Sequence, residues 1–529
     1  MTAPTAVFEP APTRRERPLP KWWWALAALA LAPALIPTVT LVTSVIVGDA
    51  VGSVPAGRLA ELMFNTLLLA ATVTASAVSI GLATSWVTTR TDIPGRKLFS
   101  ILVTLPLVMP SYVVALTLLG ATGTQGVLTE ALGLRDLPTP LGFWGSWLAL
   151  TVFAVPFVHL AAVPALRQLD TNLEEAARGL GSSRWKVFRT ITVPLLRPAT
   201  AASALLVSLY TISDFGAVSL LRYDTFTRAI YTQFQGRIDR RPALTLAVIL
   251  MIVAIGVVAL ERRTRRRASY HRSRPGRQQT IQHLGIRGRI AAYVGLAVLV
   301  SVSLVLPISV LTTWVARGIS SGQQVGDVWI DALRSLGVSG AAAIVTALAA
   351  IPIAVVVVRD RTKAGPVVET VTWGSYSLPH ITVGIALVTF ALEVARPLYQ
   401  TAALVVVAYT AMFLPITVGT ASDALRRVSP EVEDASRSLG HSAISTVFRV
   451  TLPLMGRGLL AGAALVFLTA MKELPATLLL RPNGFETLAI RVWATTGEGF
   501  YTRAGAAALV LLAVSAIPLT FVTLRDLYD

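Results

Sequence analysis

The chain has 529 residues, of which 54% are hydrophobic and only 14% are charged, and it contains no cysteine. Soluble globular proteins carry about 25% charged residues, so this composition excludes an ordinary soluble enzyme and also a disordered chain. The absence of cysteine excludes disulfides and thiolate metal sites. A net charge of +18 would suggest a nucleic-acid partner in a soluble protein. Its meaning here depends on where the positive charges lie relative to the apolar segments.

Apolar segments long enough to cross a membrane occur twelve times, since a spanning helix needs about 20 apolar residues. The first six lie near residues 22–47, 61–88, 98–119, 142–163, 198–221 and 243–260, and the other six near 290–314, 335–358, 367–392, 398–419, 458–480 and 504–524. A cleaved signal peptide is an alternative for the first segment, although that segment is longer than the 7–15 apolar residues expected of a signal. The sequence therefore predicts an all-α integral membrane protein.

Four regions follow from this division. We predict a disordered cytoplasmic tail at residues 1–21, transmembrane domains at 22–260 and 290–529, and an Arg-rich linker at 261–289. The linker is interpreted as solvated, with binding of anionic lipid head groups as the alternative.

The positive charges are distributed by membrane side. If the N-terminus is cytoplasmic and the segments alternate, the loops on the inner side hold most of the Lys and Arg residues, as the positive-inside rule requires. Nucleic acid is then not needed to explain the basic composition. The outer loop 222–242 is an exception, and it either contacts an external partner or is tolerated. Its arginines are Arg222, Arg228, Arg237, Arg240 and Arg241.

The two halves of the chain repeat each other. Residues 174–181 and 433–440 have related sequences, and the same separation of 259 residues relates Pro194 to Pro453 and Asp214 to Glu473. Both copies follow the fourth apolar segment of their half, so they lie on the same side of the membrane. We therefore predict two parallel six-helix units related by an axis along the membrane normal.

Each repeated loop is predicted to form a short surface helix. Thr171 and Glu174 have the spacing of a capping box, while Ser429 can cap the second helix and Pro430 suits its first position. Gly181 and Gly440 can adopt the positive φ that ends a helix, and Pro194 and Pro453 are predicted to mark the turn into the next membrane segment. An ordinary amphipathic helix at the membrane surface is the alternative.

The pattern from Glu175 to Pro194, which is Glu-Ala-Ala, three residues, Gly, nine residues and Ile-x-Val-Pro, resembles the EAA loop of ABC importer permeases. The second copy is looser, since Asp434 replaces Glu and Ser436 replaces the second Ala. In that family the loop forms a coupling helix that docks into a cleft on a cytoplasmic ATPase. The residues assigned to this contact are Glu174, Glu175, Ala176, Ala177, Gly181, Pro194, Glu433, Asp434, Ala435, Gly440 and Pro453.

The resemblance also implies a set of partners. It implies two copies of the ATPase, which bind the ATP and Mg, and an external solute-binding protein. It further implies that the fused chain acts as a pseudo-dimer in the bacterial inner membrane. Residues 213–221, 226–231 and 471–482 resemble fused ferric-iron permeases, which makes ferric iron the expected solute. Permeases for thiamine, phosphonate or polyamine share the architecture and remain alternatives.

Residues that would support other chemistry are missing from the sequence. No phosphate-binding loop occurs, so the chain is not expected to hydrolyse ATP or to bind a cofactor of its own. No His, Asp and Glu cluster has metal-ligand spacing, and no nucleophile lies beside a base, so no catalytic or metal residue is predicted. His159, His380 and His441 are interpreted as pathway or interface residues, or as hydrogen-bonded packing.

Two acids occupy matched positions near the outer end of a predicted helix. Asp214 lies 17 residues beyond Arg197, or about 25 Å along a helix. We predict that Asp214 and Glu473 face each other and line an external gate, and the alternative is that each braces a helix end. The other predicted pathway residues are Ser213, Phe215, Lys472 and Pro475. An ion-driven secondary transporter and a non-transporting scaffold or receptor remain rival functions.

Overall fold

The computed structural model describes residues 19–47, 54–169, 171–236, 240–266, 281–360, 362 and 364–528. Side chains are not described at residues 47, 171–173, 184, 185, 261–266, 443 and 517–528. Most of the predicted tail and residues 267–280 of the predicted linker therefore lie outside the described residues.

Helices account for nearly all of the described chain, and Thr91 and Gln282 form an isolated parallel β-bridge. The first half contains α1 (Lys21–Val47), α2 (Ala56–Arg90), α3 (Arg96–Thr104), α4 (Ser111–Ala121), α5 (Val127–Ala131), α6 (Gly142–Gln168), α7 (Thr171–Gly179), α8 (Arg184–Val187), α9 (Val193–Ser213), α10 (Gly216–Leu220), α11 (Phe226–Gly236) and α12 (Arg241–Arg266). The second half contains α13 (Ile286–Val300), α14 (Leu306–Ser320), α15 (Val328–Arg359), α16 (Ala364–Tyr376), α17 (His380–Glu393), α18 (Ala402–Arg426), α19 (Pro430–Ser438), α20 (Ala443–Thr446), α21 (Leu452–Met471), α22 (Pro475–Leu480), α23 (Leu488–Gly497) and α24 (Tyr501–Tyr528). Short 3₁₀ segments lie at Leu105–Val108 and Arg396–Leu398.

Nine helices in the described part of the chain are long and apolar enough to cross a membrane. They correspond to nine of the twelve predicted segments, and the last predicted segment corresponds to the shorter apolar helix Tyr501–Ala516. Many large apolar side chains point outward from these helices, such as Leu29 and Ile252, which are 71% and 61% exposed. Outward apolar surfaces of this extent suit helices that face lipid.

Two predicted segments, 98–119 and 367–392, are wrong as continuous helices. The chain bends by 98° between residues 108 and 111, and by 100° between residues 376 and 380. Pro110 and Pro379, with non-helical ψ angles of 150° and 136°, stand immediately before α4 and α17. Because proline lacks an N–H and its ring clashes with the preceding turn, each helix stops there and restarts in a new direction.

Pro194 and Pro453 do not mark turns, which corrects the sequence-based expectation. Each is the second residue of a helix, α9 or α21, that continues without a break from a π-helical turn at Phe188–Thr192 or Val447–Thr451. Pro307 follows a third π-helical turn, Ser301–Val305, in the same way. In a regular α-helix the ring of a proline clashes with the carbonyl of the residue four positions earlier. The wider π-helical turn before each of these prolines makes room for the ring.

The two halves interlock through their first helices. Helix α1 packs against α15, α17 and α18 of the second half, and α14 packs against α4 of the first half. Trp23, Ala27 and Leu31 of α1 are buried in one apolar cluster with Ile353 and Leu414. The halves therefore form one packed unit.

Helices α18 and α21 approach closely because Gly462 has no side chain. A Cβ added at Gly462 would lie 2.8 Å from the Cα of Thr417. We expect Gly462→Val to destabilise the protein by about 1–3 kcal/mol, the usual effect of overpacking, and to lower the thermal unfolding temperature of the purified chain. Gly456→Val in the same helix, where nothing lies within 4 Å of an added Cβ, is the matched control and should not lower it.

Candidate functional site

Helices α7 and α19 are the two predicted coupling helices, and the matched Ala176 and Ala435 are exposed on both. Glu175, Ala176 and Ala435 are exposed, and Asp434 is half-buried. Gly181 and Gly440, just beyond the helix ends, have φ of +84° and +87°, as the sequence predicts. A matched backbone hydrogen bond closes each end, from Ser182 N–H to the carbonyl of Ala177 and from His441 N–H to that of Ser436.

The helix starts differ from the predicted caps. Pro430 is the first residue of α19, as predicted, and Ser429 occupies the cap position. The hydroxyl of Ser429, however, makes no cap hydrogen bond to the backbone and instead donates to the carboxylate of Glu431. The predicted capping box of α7 depends on Thr171, whose side chain lies outside the described residues.

Glu174 and Glu433 hold α7 and α19 to the membrane helices. Thr192 donates a hydrogen bond of 2.7 Å to Glu174, whose other oxygen lies 3.6 Å from Arg90 Nη1 at the end of α2. All three side chains are buried, at 8%, 4% and 3% exposure for Glu174, Thr192 and Arg90.

The second half repeats this arrangement. Arg359, at the end of α15, lies 2.9 Å from Glu433, and Thr451 donates to the same carboxylate at 3.2 Å. We call each Arg, Glu and Thr set a clamp. The clamps place Glu174 and Glu433 inside the chain, while their predicted contact with an ATPase stays a prediction.

The sequence analysis missed the arginines of both clamps. Arg90 and Arg359 are separated by 269 residues, whereas Glu174 and Glu433 are separated by 259. The separation between matched residues falls by ten between α4 and α6. There the connection 122–141, which contains α5, is longer than the matching connection 394–401. A search for matches at one fixed separation therefore finds the glutamates without their arginine partners.

Two leucines at the ends of α7 and α19 were also missed. Leu180 and Leu439 are 87% and 80% exposed and stand at the matched position immediately before Gly181 and Gly440. The signal was available in the sequence, because the two leucines keep the separation of 259 residues. Exposed apolar side chains beside a turn geometry that both halves share suit contact with a partner.

At the opposite ends of α9 and α21, the two acids have matched surroundings. Asp214 is 6% exposed and accepts hydrogen bonds from the Ser111 hydroxyl and from the backbone N–H groups of Ala217 and Val218, at 3.0 and 3.4 Å. Its carboxylate therefore caps α10 and ties it to the first residue of α4.

Glu473 is 5% exposed and has the same kind of partners. It accepts from the backbone N–H of Ala476 at 3.1 Å and lies 2.7 Å from Nδ1 of His380, the first residue of α17. Both acids thus brace a helix end, which was the alternative in the sequence analysis. That they face each other across an axis and gate a pathway stays a prediction.

The remaining predicted pathway residues lie around the same helix ends. Ser213 and Pro475 are the last residue of α9 and the first of α22. Lys472 Nζ donates to the carbonyl of Leu107 at 2.7 Å, and the ring of Phe215 lies 5.1 Å from that of Trp493. Because each of these contacts joins one half to the other, this region lies at the interface between the halves.

The histidines and the basic loop have ordinary partners. His159 is buried between the hydroxyls of Thr84 and Ser100, at 3.1 and 3.0 Å, as expected of hydrogen-bonded packing. In the loop 222–242, Asp224 pairs with Arg58 and with Arg228, so part of its positive charge is balanced within the chain. No group of three or more His, Asp and Glu residues suited to a metal occurs among the described residues.

Comparison with known proteins decides the family. A family model described as the binding-protein-dependent transport system inner membrane component matches residues 75–261 and 349–528, once in each half. The chain belongs to this family. It is an ABC importer permease built from two repeats, and its many apolar helices make it a multi-pass inner-membrane protein.

Three relatives illustrate the range of similarity. The Fe(3+)-transport system permease protein FbpB 2 of Haemophilus influenzae is 31% identical over 87% of this chain and 89% of its own length. The ferric transport system permease protein FbpB of Actinobacillus pleuropneumoniae is 27% identical over 80% of this chain and 65% of its own length. The molybdenum transport system permease protein ModB of Escherichia coli is 33% identical over 34% of this chain and 81% of its own length.

Proposed function

We propose that this permease carries ferric iron, delivered by an external binding protein, into the cytoplasm, and that two copies of a separate cytoplasmic ATPase supply the energy through α7 and α19. The observation that carries this proposal is the pair of clamps, which fix each coupling helix to the end of a long membrane helix. The N-terminus and both coupling helices are then cytoplasmic.

The clamps supply a route for the force. An ATPase that moves α7 also moves Glu174, and the buried Arg90 transmits that movement to α2. The same holds for α19 and α15 through Glu433 and Arg359. Since packed helices shift as rigid elements, closure of the two ATPase copies would tilt α2 and α15 together and change access to the region around Asp214 and Glu473.

Iron is favoured over other solutes by two observations. The relatives named for ferric transport match this chain over most of its length, whereas the relative named for molybdenum matches about a third of it. The acids of the predicted pathway, Asp214 and Glu473, would also suit a cation better than an oxyanion. Uptake of iron, thiamine, phosphonate, polyamine and molybdate should be compared in one reconstituted system. Preference for any of the others would overturn the iron assignment.

The predicted gate has its own test. We expect the double variant Asp214→Asn, Glu473→Gln to take up iron about tenfold more slowly, which corresponds to ~1.4 kcal/mol on the limiting barrier. Amide side chains keep the shape of both groups but remove the negative charges. The measurement is initial uptake in proteoliposomes, alongside thermal unfolding to confirm folding. Normal uptake by a folded double variant would reject the gating role.

A further inference from the structure

A cavity of about 380 Å³ lies beside the clamp of the first half. Its walls include Trp86 and Arg90 of α2, Arg178 of α7, Phe188 and Gln282. The rings of Trp86 and Phe188 meet edge to face at 6.4 Å. Gln282 is brought there by its hydrogen bond with the backbone of Arg90, at 2.8 Å.

Arg90 is the unusual member of this lining. It is 3% exposed, yet its Nε and Nη2 atoms have no hydrogen-bond partner in the described part of the chain. Its Nη1 lies at the long distance of 3.6 Å from Glu174. A buried guanidinium with unused N–H donors is costly unless a ligand or water satisfies them, and its planar fork fits the oxygens of a phosphate group.

The charges around the cavity favour an anion. Arg90 and Arg178 line it together with one acid, Glu174, and one oxygen of that acid is occupied by Thr192. Asp92, near the end of α2, is engaged elsewhere: hydrogen bonds from His283 and from the Leu284 N–H, and the charge of Arg289, hold the pKa of its carboxyl well below its usual range. Asp92 is therefore paired already and does not compete for Arg90.

The second half does not build the same lining. Val355 and Val447 stand where the first half has Trp86 and Phe188, and both belong to an apolar cluster with Trp23. Arg359 donates to the carbonyl of Val428 at 3.1 Å as well as pairing with Glu433. Aromatic walls and a loosely paired arginine therefore distinguish the first half.

We propose that this cavity binds a phosphate group, carried either by an anionic lipid or by a soluble phosphate compound. Arg90 and Arg178 hold the phosphate oxygens, and Trp86 and Phe188 pack against the group that bears it. The N–H donors of Arg90 that do not reach Glu174 would then donate to the phosphate oxygens. Such charge-assisted hydrogen bonds are about twice as strong as neutral ones.

The test uses the full chain in lipid nanodiscs. In one arm, native mass spectrometry counts phosphatidylglycerol retained after exchange into phosphatidylcholine. In the other, equilibrium dialysis measures binding of inorganic phosphate in phosphatidylcholine nanodiscs. Retained phosphatidylglycerol identifies a lipid source, and saturable phosphate binding identifies a soluble one. Either result supports the proposal if the variants below behave as expected.

Arg178→Gln is the principal variant because Arg178 is exposed, so its loss should not prevent folding as loss of Arg90 would. We expect it to weaken binding of either probe about tenfold, or ~1.4 kcal/mol, and Trp86→Val with Phe188→Val to do the same for phosphatidylglycerol. Arg437→Gln, at the matched position of the second half, should leave binding unchanged. The proposal is overturned if neither probe binds, or if Arg178→Gln binds as tightly as the unchanged chain.

Discussion

Changing Leu180 and Leu439 together to Asp is expected to release the ATPase from the permease. The two side chains are the apolar tips of the coupling helices, and burying a leucine against a partner contributes about 1.5–3 kcal/mol. Losing both should weaken the complex on the order of a hundredfold or more, since each 1.4 kcal/mol is a factor of ten, and a buried aspartate adds its own desolvation cost. The dissociation constant of the purified ATPase for the permease in nanodiscs measures the effect.

A matched control is available in the connection between α5 and α6, which leads into the end of α6 opposite α7. Leu132 and Leu134 are 59% and 48% exposed, so changing both to Asp alters surface charge equally without touching α7 or α19. We expect that control to bind the ATPase as the unchanged permease does. Equal affinity of the Leu180, Leu439 variant and this control would show that the tips do not contact the ATPase.

Glu433→Arg is expected to separate ATP hydrolysis from transport. It places a second positive charge against Arg359 in a pair whose side chains are only 14% and 12% exposed, and disrupting such a pair costs up to about 3–5 kcal/mol. Since α15 is anchored by its own packing, the loss should loosen α19 rather than unfold the protein. We expect iron uptake to fall about tenfold or more, while hydrolysis by the bound ATPase continues.

Reversing the pair provides the control for this second experiment. The double variant Arg359→Glu, Glu433→Arg restores opposite charges and should recover a large part of the uptake. The ratio of iron moved to ATP hydrolysed is the quantity to compare. If Glu433→Arg leaves this ratio unchanged, the clamp of the second half does not transmit force.

The sequence predicted the two surface helices α7 and α19 well because their signals are local. The glycines that end them, Gly181 and Gly440, and the first-position Pro430 act within one helical turn, so tertiary packing did not override them. The twelve apolar segments followed from hydropathy for the same reason.

Features that depend on packing between distant segments were harder to predict. Pro110 and Pro379 were visible in the sequence, but a proline in a membrane helix is tolerated or bends it depending on which neighbours satisfy the backbone. The partners of the acids and of the coupling-helix glutamates, such as His380 and Arg90, come from helices whose repeat separation differs by ten residues. Recognising the short connection 394–401 as a deletion would have brought these pairs into register.

Reconstituting the permease in proteoliposomes with its ATPase and an iron-loaded external binding protein tests the central claim most directly. The account predicts that iron enters only when ATP is hydrolysed on the side of the coupling helices, and that removing residues 174–181 and 433–440 abolishes this uptake. Iron uptake by the permease alone, driven by an ion gradient without any ATPase, would contradict it.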